Sequence, residues 1–363
     1  MINSCLIVYV EYDKNASTIE KHYRSFSKFG NCLYRLITLD NFRNLDEKYI
    51  FLFDSIILHY TIYFPYLNKY QFYESLYKFI RFQGRKIVFI QDEYRMINKI
   101  IDLLSLINID VLYSVCNEIE YKKIYKQLLE RNVIIRKTLT GYIDDTKDQF
   151  TYDSDMKDLD LSYRARDLTG KLGWLGKKSY EKSRICSFAN ELKKVGFIID
   201  VSTKEDERLY GEEWKNLLKR SKATLITISG ASVCDFTGEI QEKYEDLYNS
   251  GYRGDALKNI YENADGLVEA TSISPRVFEA AFNKVLLIGY EDHYSGIIKP
   301  GVHYCVLKRD HSNLEEIFNI LRSKKIMGKY IQNSFNDLIR SNKYTWKKFV
   351  QDFEIDQNCH KEN

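Results

Sequence analysis

Arg276 and Glu279 stand three residues apart at the start of an otherwise apolar stretch, SISPRVFEAAFNKVLLIGY (272–290). Ser274 is a helix-capping residue type and proline is tolerated at a first helical position, so a helix beginning at Pro275 is predicted. Val277, Ala280 and Ala281 would form one small apolar face, while Arg276 and Glu279 share another near the helix N-terminus. Free N–H groups and the helix dipole favour an anion there. A surface ion pair between the two residues is the plainer alternative. Two further carboxylates, Asp235 and Glu239, lie four apart after the small-residue turn Ser229-Gly230-Ala231-Ser232, which ends the apolar run ATLITIS (223–229). The carboxyl end of a parallel strand is where α/β folds place ligand-contacting groups, and glycine there lets a ligand approach the backbone. The same carboxylates could instead cap a turn or the next helix. A third cluster, SYRARDLTGKLGWLGKKS (162–179), runs a strand carrying Arg164 and Arg166 into a basic, glycine-rich loop with Gly173 and Lys177. Guanidinium forks match carboxylate and phosphate oxygens, and glycines open backbone N–H groups to them; an exposed basic loop is the alternative.

Other patterns lead nowhere. GKLGWLGKKS (170–179) fails the P-loop pattern, because Lys171 stands where its first glycine belongs and Lys178 replaces its hydroxyl residue. No GxGxxG follows the first strand, which argues against a dinucleotide-dependent dehydrogenase. Asp153-Ser154-Asp155 looks like a metal-binding DxD but falls in a polar linker and not at a strand end. HExxH is absent, the six histidines show no ligand spacing, and the seven cysteines never form CxxC. Neither a metal nor a resident cofactor is expected, and the thiols fit a reducing cytoplasm.

The elements that must carry these groups are legible as alternating runs. CLIVYVEY, SIILHYT, KIVFIQDEY, DVLYSV and VIIRKTL are expected as buried parallel strands, with amphipathic segments such as 69–83 between them. Residues 142–160 are polar and acidic without apolar period, and are expected to link two domains. The alternation then restarts with LSYRAR, a helix around 178–195, FIIDVS, a helix around 211–220, ATLITIS, GLVEA, VLLIGY and HYCVL. The expected fold is α/β, with two Rossmann-like domains facing across a cleft: 1–148, 149–330, and a helical tail over 331–363 that crosses back. The chain has 363 residues, 44% hydrophobic and 29% charged, a globular composition long enough for two cores. Its 54 basic and 51 acidic residues leave a net charge of +3, which gives no case for nucleic-acid binding. The first residues, MINSCLIVYVEY, look like a strand and not a signal peptide, and no apolar run reaches the length of a transmembrane helix.

The order SPRVFEAAFNKVLLIGY…IKPGVHYCVLKRDHSNLEEIFNIL resembles the C-terminal half of GT-B glycosyltransferases, above all a bacterial group related to spore-maturation and family-4-type enzymes. RARDLTGKLGWLGKKSYE, SGASVCDFTGE and FIQDEYR (89–95) are also similar to segments of polysaccharide-biosynthesis glycosyltransferases, and the likeness is strongest over 160–320. The family usually has alanine-cysteine-glycine where this chain has AFNK, so a turn of another shape is expected after that helix. The resemblance implies a cytoplasmic, metal-independent enzyme that moves a sugar from a nucleotide-sugar to a glycan or lipid-linked acceptor in cell-surface polysaccharide synthesis. Contact with the inner membrane surface stays open. It implies that Glu279 holds ribose hydroxyls and that Ser274 and Arg276 meet the diphosphate, with Arg164, Arg166, Gly173, Lys177, Gly230 and Tyr304 as further nucleotide-binding candidates. Asp235 would stand nearest the anomeric centre with Glu239 as its substitute, and Asp92, with Glu93 beside it, could activate or orient the acceptor hydroxyl on the N-terminal domain. A nucleotide-sugar epimerase and an inactive glycan-binding subunit of the same fold are the alternatives.

Overall fold

The apolar runs of the first third become the strands of a six-stranded parallel sheet: β1 (Ser4–Tyr9), β2 (Leu33–Thr38), β3 (Ser55–Leu58), β4 (Arg85–Phe89), β5 (Val111–Ser114) and β6 (Ile134–Lys137), in the order β2-β1-β3-β4-β5-β6. The computed structural model describes residues 3–12, 17–63, 69–146 and 150–359. β3 and β5 are buried along their whole length, as continuous Ile, Leu and Val runs should be when helices cover both faces. β2 was not expected from the sequence. It is an edge strand, LYRLIT, with Leu33 and Arg35 exposed, so it lacks a continuous apolar run. Register follows the pleat, with Leu6 opposite both Arg35 and Ile56, and Ile57 opposite Ile87. The order reverses direction between β1 and β3, the switch point at which doubly wound sheets leave a crevice.

The second sheet has five parallel strands: β7 (Leu159–Arg164), β8 (Ile199–Ser202) and β9 (Ser221–Ile226), followed, after the short ribbon β10 (Ser229–Ala231) and β11 (Ala270–Ser272), by β12 (Leu286–Gly289) and β13 (Tyr304–Val306). Its order, β13-β12-β9-β7-β8, has the same winding, with the switch between β7 and β9. The segment GLVEA, expected as a strand, contributes only Ala270 to β11. The helix expected over 178–195 is two, Lys177–Arg184 and Ser187–Lys194, with fully buried Ile185 at the joint. The helix expected over 211–220 is Gly211–Arg220.

The chain divides into two units. One comprises 1–140, 233–270 and 346–363, the other 141–232 and 271–345. The boundary expected at 148/149 falls on residues 147–149, outside the described ones. Residues 233–270, expected in the C-terminal domain, pack with the first unit, where Cys234 and Ala270 join the core made by Leu58, Val88, Leu104 and Leu112. The tail folds as the helix Lys324–Ser334, a π-helical segment Phe335–Arg340 and the helix Trp346–Cys359. That last helix belongs to the first unit and packs on the helix Ser17–Phe29, with Phe353 and Phe349 ring centroids 5.0 and 5.3 Å from Phe26. Glu354 fastens it by accepting from the Asn31 and Cys32 N–H groups at 2.7 and 3.1 Å and from the Tyr34 hydroxyl at 3.0 Å. The second unit closes its core around Leu161, Leu225, Leu286, Ile288 and Phe188.

Candidate functional site

In the first unit the chain leaves β4 as Gln91-Asp92-Glu93. Asp92 is exposed and holds φ = 55°, a left-handed conformation that a side chain adopts at a cost. Its carboxylate accepts from the Tyr94 hydroxyl at 2.9 Å. Glu93 points the other way, into the core, where Ser114 and Tyr125 hydroxyls and the Val115 N–H donate to it at 2.7, 2.7 and 2.8 Å. Burial pushes its pKa up against those three bonds. Glu93 therefore anchors the turn that shows Asp92 to solvent.

Asp235 belongs to the same unit and is 1% exposed. Its two carboxylate oxygens accept from the backbone N–H groups of Gly238 and Gln241, at 2.8 and 2.9 Å, capping the helix Glu239–Asn249. Its backbone is equally engaged. Asp235 N–H donates to the Tyr94 carbonyl at 2.8 Å, while the carbonyls of Asp235 and Phe236 accept from Ile97 and Asn98, the first N–H groups of the helix Ile97–Ile107. Gly238 has φ = 94°, and a Cβ there would stand 3.1 Å from Met96 Cγ. Asp235 thus locks two helix N-termini together, which is the capping alternative and not a carboxylate open to a sugar. Glu239, the expected substitute, is an exposed first-turn residue paired with Lys243 at 2.9 Å.

In the second unit most candidates lie after β7 and β9 and at the start of the helix that precedes β12. The helix Pro275–Phe282 begins where the sequence placed it, with Ser274 accepting from the Arg276 N–H at 3.4 Å. Arg276 and Glu279 are half-buried and do not pair with each other. The Arg276 guanidinium donates to the carbonyl of Arg164 at the end of β7 and stacks 5.4 Å from the Trp214 ring centroid. No carboxylate pairs with it among the described residues. Glu279 Oε2 accepts from Trp214 Nε1 at 2.7 Å.

Arg164 itself is a structural residue. Its side chain is spent on Asp200 at 2.7 Å and on the carbonyls of Glu207, Tyr163 and Asp200, so β7 and its neighbour absorb the fork expected to meet phosphate. Arg166 makes a forked pair with Glu205 at 3.1 and 3.3 Å on the surface. Tyr304 is a core residue of β13, 0% exposed, its ring against Tyr294 and its hydroxyl pushed up to about 12 by burial, so it packs inside the unit and is not presented to solvent. Gly173 opens a buried 3₁₀ turn, and Gly176, at φ = 87°, delivers the exposed Lys177 as the first residue of the helix Lys177–Arg184. The Ser232 N–H donates to the Leu175 carbonyl at 3.0 Å and the Lys178 N–H to Ser232 Oγ at 3.1 Å, so the glycine-rich loop and the turn carrying Gly230 (φ = 99°) are tied.

A charge chain that the sequence did not reveal holds this edge in place. Lys178 pairs with Asp292 after β12, Asp292 also faces Arg309 at 3.4 Å, and Arg309 meets Glu181 at 2.6 Å. Asp292 is almost wholly buried, so these pairs are screened less than surface ones. Trp214 was missed as well: beside Leu217 and Leu218 it has the spacing of a core stripe, and nothing in the sequence says where its N–H points.

Two sheets of this winding, one after the other, define a GT-B-type fold. HepE of Anabaena, solved in complex with UDP and glucose, is similar over 98% of this chain and 99% of its own, with 7% identity and a TM-score of 0.55. A DNA-modifying β-glucosyltransferase, solved in the presence and absence of the substrate uridine diphosphoglucose, is similar over 97% of this chain and 98% of its own, with 13% identity and a TM-score of 0.53. No protein-family model and no curated protein sequence matches the chain. Among the described residues no helix is long and apolar enough to cross a membrane, and no cluster of His, Cys, Asp and Glu is placed to hold a metal.

Proposed function

We propose that this chain is a glycosyltransferase that binds a nucleotide-sugar on its second unit and transfers the sugar to a glycan or lipid-linked acceptor held on its first. One observation carries the reading. Arg276 is a half-buried cation with no carboxylate partner among the described residues, set at the carboxyl end of β7 beside a capped helix N-terminus. That is a place for an anion. Glu279, one turn on, offers its second oxygen to ribose hydroxyls, and Lys177 at another helix start adds charge for a diphosphate. Positive charge there stabilises the departing nucleotide, which fits a transfer needing neither metal nor cofactor. With both Asp235 oxygens committed to capping, Asp92 is the carboxylate we assign to acceptor activation. The ligands of HepE and of the β-glucosyltransferase favour a uridine diphosphate donor, and cell-surface polysaccharide synthesis in the cytoplasm is the setting we propose.

The test is incubation with UDP-glucose, with and without an extracted glycan and lipid-linked acceptor fraction, with UDP release followed by chromatography. Release that rises with acceptor supports the reading. Conversion of the donor to a stereoisomer without acceptor would make the protein an epimerase, and binding without turnover across the acceptor fractions would leave a glycan-binding subunit.

A further inference from the structure

Trp214 is 8% exposed, on a helix face it shares with Leu217 and Leu218, where a third leucine would serve packing alone. Instead its indole addresses both charged candidates. Nε1 donates to Glu279 Oε2 at 2.7 Å, and the guanidinium of Arg276 lies 5.4 Å from its ring centroid. Arg276 and Glu279 are spaced i,i+3 on one helix, a spacing that normally lets opposite charges pair. Here they do not pair: the indole edge holds Glu279, while the indole face and the Arg164 carbonyl together hold the Arg276 guanidinium. A pair collapsed onto itself would neutralise the cation and occupy the carboxylate.

We propose that Trp214 is the positioning residue of this site, a separator that keeps Arg276 free for phosphate and one oxygen of Glu279 free for ribose. The inference rests on the nucleotide reading above. It assigns specificity to a residue that touches no substrate: the preference for a ribonucleotide over its dideoxy analogue, and for a diphosphate over a nucleoside, both pass through the indole.

Calorimetric titration with UDP, 2′,3′-dideoxy-UDP and uridine tests this on the whole chain. The wild type should prefer UDP over the dideoxy nucleotide by roughly tenfold or more, the size of a charged hydrogen bond. Trp214→Phe keeps a ring but no N–H, so Glu279 swings to Arg276: the ribose preference should fall by most of that factor, and the ratio of UDP to uridine affinity should fall with it. Adding Glu279→Gln to Trp214→Phe removes the competing charge, and the UDP-to-uridine ratio should recover while the ribose preference stays lost. A residue that merely packed would make the double variant no better than the single. Trp214→His, which keeps a ring and an N–H, separates loss of the donor from loss of packing should the phenylalanine variant fold poorly. Wild-type ratios in Trp214→Phe, or no recovery in the double variant, overturn the proposal. Equal binding of UDP and its dideoxy analogue by both the wild type and Glu279→Gln overturns the ribose reading itself, and the separator with it.

Discussion

Replacing Asp235 separates a cap from a catalyst. The carboxylate is buried and takes two backbone N–H donors, from Gly238 and Gln241, at 2.8 and 2.9 Å. Hydrogen bonds to a charged group contribute about 1.5–3 kcal/mol each, and a buried donor left unpaired costs about 1–3 kcal/mol. Asp235→Asn keeps one acceptor oxygen and turns an NH₂ toward the other N–H, so it should cost about 2 kcal/mol. Asp235→Ala strands both donors and should cost about 3–4 kcal/mol, above the usual price of a lost exposed cap. Urea denaturation followed by tryptophan fluorescence measures both, and transfer assayed well below the unfolding transition should stay within about threefold of wild type for the asparagine variant. Undiminished stability with turnover down by about a hundredfold would refute the capping account and return Asp235 to the chemistry.

Asp92→Asn should lower transfer by roughly a hundredfold or more with donor affinity unchanged, and Asp92→Gly should be as inactive yet more stable by about 0.5–1 kcal/mol, since glycine adopts φ = 55° freely; full activity in either variant would remove Asp92 from the mechanism. Acid should destabilise the first unit through His22 and His59, whose rings meet at 3.0 Å in the core. Burial lowers both, His22 to about 3, so the unfolded chain takes up their protons first. Their contribution is complete above about pH 6.5 and declines as pH falls toward 3, by about 2 kcal/mol for His22 alone at pH 5. Denaturation midpoints measured from pH 7 to 5 should fall steeply for wild type and less so for His22→Phe; a flat wild-type profile contradicts the buried neutral pair.

Elements with strong periodicity were legible, and so was the start at Pro275, because a cap and an N1 proline are local signals. β2 escaped because an edge strand needs no apolar run. Side-chain destinations were the harder part. Arg164 and Arg276 look alike in sequence, but Asp200 pairs with one and, among the described residues, no carboxylate pairs with the other, which only the pairing of β7 with β8 decides. That Asp235 might cap a turn or the next helix was open in the sequence, yet its burial against Tyr94 depends on a segment far along the chain returning to the first sheet. Tyr304 lies in HYCVL, which was expected as a strand, but that its side chain faces the core is settled only by the pairing with Leu287.

The proposed nucleotide diphosphate site lies on the second unit, with Arg276 as its cation. Calorimetric titration of wild type and Arg276→Ala with UDP, with uridine as the control, tests it most directly. The wild type should bind UDP, Arg276→Ala should weaken this by roughly tenfold or more through loss of a charged contact to phosphate, and uridine affinity should be the same in both. UDP binding that is indifferent to the substitution, or no UDP binding to the folded wild type, would contradict it.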